Sequence, residues 1–294
     1  MQSLYGIVTH NVVSLRAAPD GGSEQVSQAI LGDTVLVRET QGDHALIQST
    51  DGYEGWMLHR YLRLFENGRI TDVPHRVFLE PNAPSGWHTH ARDVCRVTVP
   101  FAEVFLPTAR PTLLMTKLVY GTWIRKLREV CRAGKRYACV WMPDSRSGYV
   151  PAEALTPQEA LDRFRGKRAC TLGQPFIGTP YLWGGTTPFG FDCSGFVQRL
   201  YGMLGVVLPR DAYLQARSPL GTSVAPEEPL RAGDLVFFCG DNDPRGRGIT
   251  HVGMAMGDGQ FIHASGNVGV RVTPLEDAYY TRAYRGAWRY HARP

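Results

Sequence analysis

A cysteine and two histidines in the C-terminal half are the residues best suited to nucleophilic chemistry. Cys193 lies in Phe191-Asp192-Cys193-Ser194-Gly195-Phe196. Apolar residues follow at Phe196, Val197, Leu200, Tyr201, Met203 and Leu204, which is one face of an amphipathic helix. Asp192 suits the N-cap and Gly205 the stop. Cys193 is thus expected in the first helical turn, where unpaired N–H groups and the helix dipole favour a thiolate. The dipole contributes about 0.3–1 kcal/mol, less than about one pKa unit. A neighbouring imidazole has to supply the rest. His251 and His263 are the candidates, in His251-Val252-Gly253-Met254-Ala255-Met256 and Gln260-Phe261-Ile262-His263-Ala264-Ser265. Gly257-Asp258-Gly259 between them signals a turn, so the pair reads as a β-hairpin. With an odd loop both histidines share one sheet face, as diagonal neighbours about 7–8 Å apart at the backbone. That spacing allows a nucleophile, a base and an orienting group. Taken singly, a helix cysteine reads equally as a buried thiol, and a strand histidine more often as structural. The combination is what points to catalysis.

The elements that must position these groups fall into two textures. From 157 to 294 the pattern is helical first, with Ala160, Leu161, Phe164 and Cys170/Leu172 at helical spacing over 157–172. Strand-like runs follow at 235–238, 251–256, 260–264 and 269–273, which suggests an α+β domain. Residues 1–65 read as short strands with turns at Asp20-Gly21-Gly22, Gly32-Asp33, Gly42-Asp43 and Asp51-Gly52, spaced as in a small barrel. Residues 97–156 repeat that pattern. The run Leu118 to Ile124 parallels Ala29 to Val35, and Gly148-Tyr149-Val150 parallels Gly55-Trp56-Met57. Residues 66–96, rich in Pro and Gly, read as a linker or insertion. His88-Thr89-His90 there would put two imidazoles on one strand face, with no third ligand nearby.

Composition narrows the classes. The chain has 294 residues, 43% hydrophobic and 20% charged, an ordinary globular balance with room for two or three domains. The net charge of +5 is spread out, without the basic stripe and interleaved aromatics of a nucleic-acid surface. No apolar run approaches the roughly 18 residues of a membrane helix. The first twenty residues carry no signal-peptide core, so a cytoplasmic location is expected; a chain with its leader removed would read the same. The six cysteines form no CxxC pair. Cys131 and Cys139 could face each other across a hairpin, but free thiols are the simpler expectation.

Several blocks resemble the NlpC-type cell-wall cysteine peptidases. These are Tyr181-Leu182-Trp183-Gly184-Gly185, Asp192-Cys193-Ser194-Gly195, Leu208-Pro209-Arg210, Gly233-Asp234-Leu235-Val236-Phe237-Phe238, His251-Val252-Gly253 and His263-Ala264-Ser265. They occur in the family's order across about residues 165–290. The two N-terminal repeats resemble bacterial SH3-like domains, the first through Leu15-Arg16-Ala17-Ala18-Pro19 as well. The resemblance implies two small all-β SH3-like barrels followed by a papain-like α+β peptidase domain. It implies Cys193 as nucleophile, His251 as base and ion-pair partner, and His263 as the group that holds His251. The Cys193 N–H would be one oxyanion donor. Tyr181 would be a second or would line the pocket. Trp183 and Ser194 would contact substrate, although Ser194 also reads as completing the helix turn.

The domain order is similar to that of γ-D-glutamyl-L-diamino acid endopeptidases, which act on murein peptides with a free N-terminal L-alanine. In that group an acid after Pro-Arg binds the substrate ammonium, and Asp211 occupies this place, with surface and helix-cap readings open. Ala212 stands where a serine is common, so one polar contact is missing. A tyrosine of the first SH3-like domain also reaches the site in that group; Tyr53 and Tyr61 are the candidates. The resemblance implies no metal or cofactor. Action on intact peptidoglycan, as hydrolase or amidase, and an inert wall-binding role are the alternatives.

Overall fold

The computed structural model describes residues 4–65, 93–161, 166–241, 243 and 245–290. The segment with His88 and His90, and most of the expected linker, lies outside these residues. The chain divides into two compact units, Met1–Leu161 and Asp162–Pro294.

The N-terminal unit is mostly β. It holds two seven-stranded sheets. The first runs, in spatial order, Gln25–Ile30, Val12–Arg16, Glu54–Leu58, His44–Gln48, Thr34–Gln41, Leu4–Val8, Leu62–Phe65. The second runs Leu114–Val119, Phe101–Phe105, Ser147–Pro151, Lys135–Trp141, Trp123–Arg132, Val94–Val97, Leu155–Pro157. Strand for strand, the connectivity is the same.

Local devices repeat too. Gly32 and Gly121 both have φ 88° at corresponding turns, a left-handed conformation that glycine adopts at least cost. A Cβ on Gly55 would meet the Leu15 Cβ at 2.9 Å, and one on Gly148 would meet the Val104 Cγ1 at 2.5 Å. Each glycine lets its strand close against a neighbour. Each sheet buries its own core, around Val13, Leu15 and Ile47 in one and Val104, Ile124 and Val140 in the other. The second sheet begins at Val94, three residues before the boundary expected at 97, because Val94–Val97 pairs with both Trp123–Arg132 and Leu155–Pro157. Cys131 lies opposite Arg136 and Cys139 opposite Arg128, so these cysteines are not cross-strand partners. All six cysteines are free thiols.

The C-terminal unit packs helices on a six-stranded antiparallel sheet. Its order is Gly221–Val224, Tyr284–Tyr290, Leu235–Phe238, His251–Ala255, Gln260–Ser265, Gly269–Pro274. The helix Cys193–Met203 buries Phe196, Val197, Leu200, Tyr201 and Met203, the stripe expected from the sequence. It lies against the strands His251–Ala255 and Gln260–Ser265. Edge-on contacts among Phe176, Phe191 and Phe196 fill the space at its start. The helix expected over 157–172 appears instead as Gln158–Leu161, in the N-terminal unit, and Gly166–Gly173. The strands Gly221–Val224 and Tyr284–Tyr290 carry no clear period-2 signal, and the sequence did not reveal them. No described helix is long and apolar enough to cross a membrane.

Candidate active site

Cys193 is the first residue of its helix, capped by Asp192, whose side chain accepts from the Gly195 N–H at 2.7 Å. Asp192 does more than cap. Its Oδ2 accepts from the Gly184 N–H at 3.0 Å, and its own N–H donates to the Gly185 carbonyl. This ties the Tyr181–Gly185 segment to the helix start. Glycine is needed there for space, because a Cβ on Gly195 would lie 2.2 Å from the Gly185 oxygen. Arg210, 2% exposed, forms a buried two-point ion pair with the Asp192 carboxylate and donates to Ser194 Oγ at 2.9 Å. Gln215 donates to the Ser194 and Pro209 carbonyls, holding the same turn from below. Asp192, Arg210 and Gln215 are positioning residues that sequence reasoning treated as a cap, a motif letter and nothing at all. The Asp192-Cys193-Ser194 and Pro209-Arg210 blocks were the available signal.

The histidine pair forms as the hairpin parity requires. Met254 pairs with Ile262 and Ala255 with Phe261, so His263 stands opposite Gly253 and diagonal to His251, on the same face. His251 Nε2 lies 2.8 Å from His263 Nδ1. Gly253 leaves the space between them open: a Cβ there would sit 2.5 Å from the Phe261 ring and 3.1 Å from the His263 Cβ. Tyr280 covers the pair, with its ring centroid 5.1 Å from that of His263 and 6.0 Å from that of His251. The other His263 nitrogen, Nε2, is 2.9 Å from Thr273 Oγ1.

Burial dominates the electrostatics. It pushes the Cys193 thiol up to about 12, with Asp192 adding to the rise; the Val252 and Ser194 N–H groups and Arg210 oppose it. The Val252 contact brings the sulfur to the start of the strand that carries His251. Burial also lowers His251 to about 4, against a pull from Asp192. His263 falls to about 2, through burial first and then the nearby His251 and Arg271. Burial thus opposes the charged form of each group taken singly, while the mutual attraction of a thiolate and an imidazolium, the pair the resemblance implies, acts the other way. For the thiol alone, desolvation outweighs the modest gain at a helix start.

The remaining expected residues divide. The Tyr181 hydroxyl is held far above its ordinary pKa by burial first and then by Cys193 and Asp192, which puts it in the electrostatic surroundings of the sulfur. Ser194 is buried, and its hydroxyl is engaged with Asp192 and Arg210. These bonds complete the helix start. Trp183 is exposed on the same glycine turn. Asp211 stands at the N-cap position of Ala212–Gln215 but makes no side-chain cap bond. Its carboxylate is 3.5 Å from Arg247, whose guanidinium lies 4.0 Å over the Tyr213 ring. Tyr53 and Tyr61 belong to the N-terminal unit.

A helix-borne cysteine facing a strand-borne histidine pair on an antiparallel sheet defines a papain-like domain. The sequence model of the NlpC/P60 family matches residues 178–289, and that of the bacterial dipeptidyl-peptidase Sh3 domain matches residues 15–62. A gamma-D-glutamyl-L-lysine dipeptidyl-peptidase of Bacillus cereus is 30% identical over 280 residues, covering 90% of this chain and 74% of the relative. One of Bacillus subtilis is 44% identical over 268 residues, covering 88% and 74%. The crystal structure of an NlpC/P60 family protein from Bacillus cereus superposes with a TM-score of 0.78 at 24% identity, over 97% of this chain and 99% of that one, and shows the same fold. The chain belongs to the NlpC/P60 family of peptidases, with an SH3-domain-containing, mostly-β region in front of the papain-like domain.

Proposed function

We propose that the protein is a cysteine endopeptidase that hydrolyses the bond between γ-D-glutamate and a diamino acid in murein peptides bearing a free N-terminal L-alanine. The observation that carries this reading is the 2.8 Å His251–His263 contact on the strand beside the Cys193 helix. The names of the two Bacillus relatives support the bond assigned. His251 takes the Cys193 proton as the sulfur attacks the glutamyl γ-carbonyl carbon. The Cys193 N–H and the Tyr181 hydroxyl donate to the resulting oxyanion. The C–N bond breaks, His251 returns the proton to the leaving amine, and a thioester remains. Water, deprotonated by His251, attacks the thioester and releases the dipeptide and the thiol.

Asp211 binds the alanine ammonium in this reading. Its present partner is a cation, Arg247, at a partly exposed 3.5 Å contact that a substrate amine could replace. We further assign both N-terminal sheets as SH3-like modules. The shared connectivity supports two copies, over about residues 1–65 and 94–157, ahead of a catalytic domain that begins near residue 162 in place of the expected 157. A substrate already cut free of the wall fits a recycling role in the cytoplasm. The decisive experiment follows L-Ala-γ-D-Glu-diamino acid tripeptide by product analysis. Wild type releases L-Ala-D-Glu, and Cys193→Ala does not; equal turnover by the two would remove the nucleophile assignment. Acetylating the alanine amine should lower kcat/KM at least tenfold, and an unchanged value would remove Asp211 as the amine site.

A further inference from the structure

The histidine pair does not end at His263. The strand Gly269–Pro274 pairs with Gln260–Ser265 so that Arg271 lies opposite His263 and Thr273 opposite Phe261. Period-2 alternation then brings His263, Arg271 and Thr273 to one face. Thr273 Oγ1 sits 2.9 Å from His263 Nε2 and 3.0 Å from Arg271 Nε. Thr273 and His263 are both 0% exposed, so bulk water reaches neither partner.

Arginine only donates, while a hydroxyl has one hydrogen and two lone pairs. Arg271 therefore occupies one lone pair of Thr273. What Thr273 turns toward His263 is either its other lone pair or its hydrogen, and the two choices fix opposite tautomers along the chain. If Thr273 donates, His263 carries its proton on Nδ1, aimed at His251 Nε2. His251 must then hold its proton on Nδ1, the nitrogen needed to receive the thiol proton, and the base is blocked. If Thr273 accepts, His263 Nε2–H points at it and His263 Nδ1 accepts from His251 Nε2–H. Nδ1 of His251 is then free.

We propose that Thr273, held by Arg271, is a positioning residue that accepts from His263 Nε2–H and thereby sets His251 in the tautomer able to deprotonate Cys193. Arg271 has a second effect. Together with burial and the nearby His251, its charge holds His263 neutral, so a proton taken by His251 stays there for the leaving amine. This inference rests on the proposed roles of Cys193 and His251. It adds two residues of the edge strand Gly269–Pro274 to the relay.

The test uses the full chain and Thr273→Val, which keeps shape and removes the hydroxyl, with Thr273→Ser as the conservative rescue. A buried His263 N–H left without an acceptor should lower kcat roughly 5- to 100-fold. KM should be unchanged, and Thr273→Ser should restore most of the loss. Long-range 1H–15N NMR of the imidazoles reports the tautomers without substrate. Wild type and Thr273→Ser should show His263 protonated on Nε2, and Thr273→Val should shift it toward Nδ1. Wild-type His263 protonated on Nδ1, or a valine variant with kcat within twofold and an unmoved tautomer, overturns the proposal. Failure of wild type to cleave the tripeptide at all would instead count against the substrate reading, since the NMR result does not depend on it.

Discussion

Gly253→Ala tests how tightly the histidine pair is coupled to the packing beneath it. Gly253 is an ordinary strand residue, so an alanine costs nothing in backbone conformation; the obstacle is space. The new Cβ would sit 2.5 Å from Phe261 Cδ2 and 3.1 Å from the His263 Cβ. Restoring ordinary contact requires the Phe261 ring to move by roughly 0.9 Å, and its neighbours Phe238 and Tyr280, with centroids at 5.1 and 5.0 Å, leave it little room. Overpacking of this kind costs about 1–3 kcal/mol. The strand Gln260–Ser265 gives way, and His263 moves with it. A shift of about 0.5 Å takes the 2.8 Å His–His contact beyond good hydrogen-bond length. Misplacement on that scale reduces kcat by roughly 10- to 100-fold. The assay is steady-state hydrolysis with thermal unfolding followed in parallel. Gly202→Ala is the control: nothing lies within 4 Å of a Cβ there, and it sits inside the helix Cys193–Met203. That change should preserve kcat and add about 0.5–1 kcal/mol of stability. Gly253→Ala with wild-type kcat and stability would refute the steric argument; lost stability with full kcat would show that the histidines do not feel the sheet.

Two other outcomes follow from burial. Above about pH 6.5, folded and unfolded chains both carry neutral His251; as pH falls toward 4 the unfolded chain takes up a proton that folded His251 refuses, so His251 by itself lowers stability by at most about 3 kcal/mol over that window, and His263 adds to the drop. Urea unfolding at pH 7 and 4.5 should show a smaller drop for His251→Asn, and identical drops would mean that His251 is not held neutral. Arg210→Met leaves the Asp192 carboxylate buried without its ion pair, which should destabilise the C-terminal unit by about 3–5 kcal/mol and shift its urea midpoint accordingly; a midpoint within error of wild type would show that Asp192 finds water or another partner.

The sequence by itself determined the candidate reacting groups and their local frames. Asp192 as cap, the apolar stripe from Phe196 to Leu204 and the turn Gly257-Asp258-Gly259 are short-range signals, and each acts through neighbours a few residues away. Hairpin parity alone placed His251 and His263 on one face. The repeated N-terminal module was legible for the same reason, since its glycine turns recur at matching places. What only the tertiary structure decided depends on residues far apart in the chain. The Asp192–Arg210 pair, the register that sets Arg271 opposite His263 and Thr273 beside it, and the strand Tyr284–Tyr290 inserted next to Leu235–Phe238 are long-range pairings. The charge state of Cys193 belongs with them. Its helix position argues for a thiolate, but the desolvation that raises its pKa comes from elements packed around it in space.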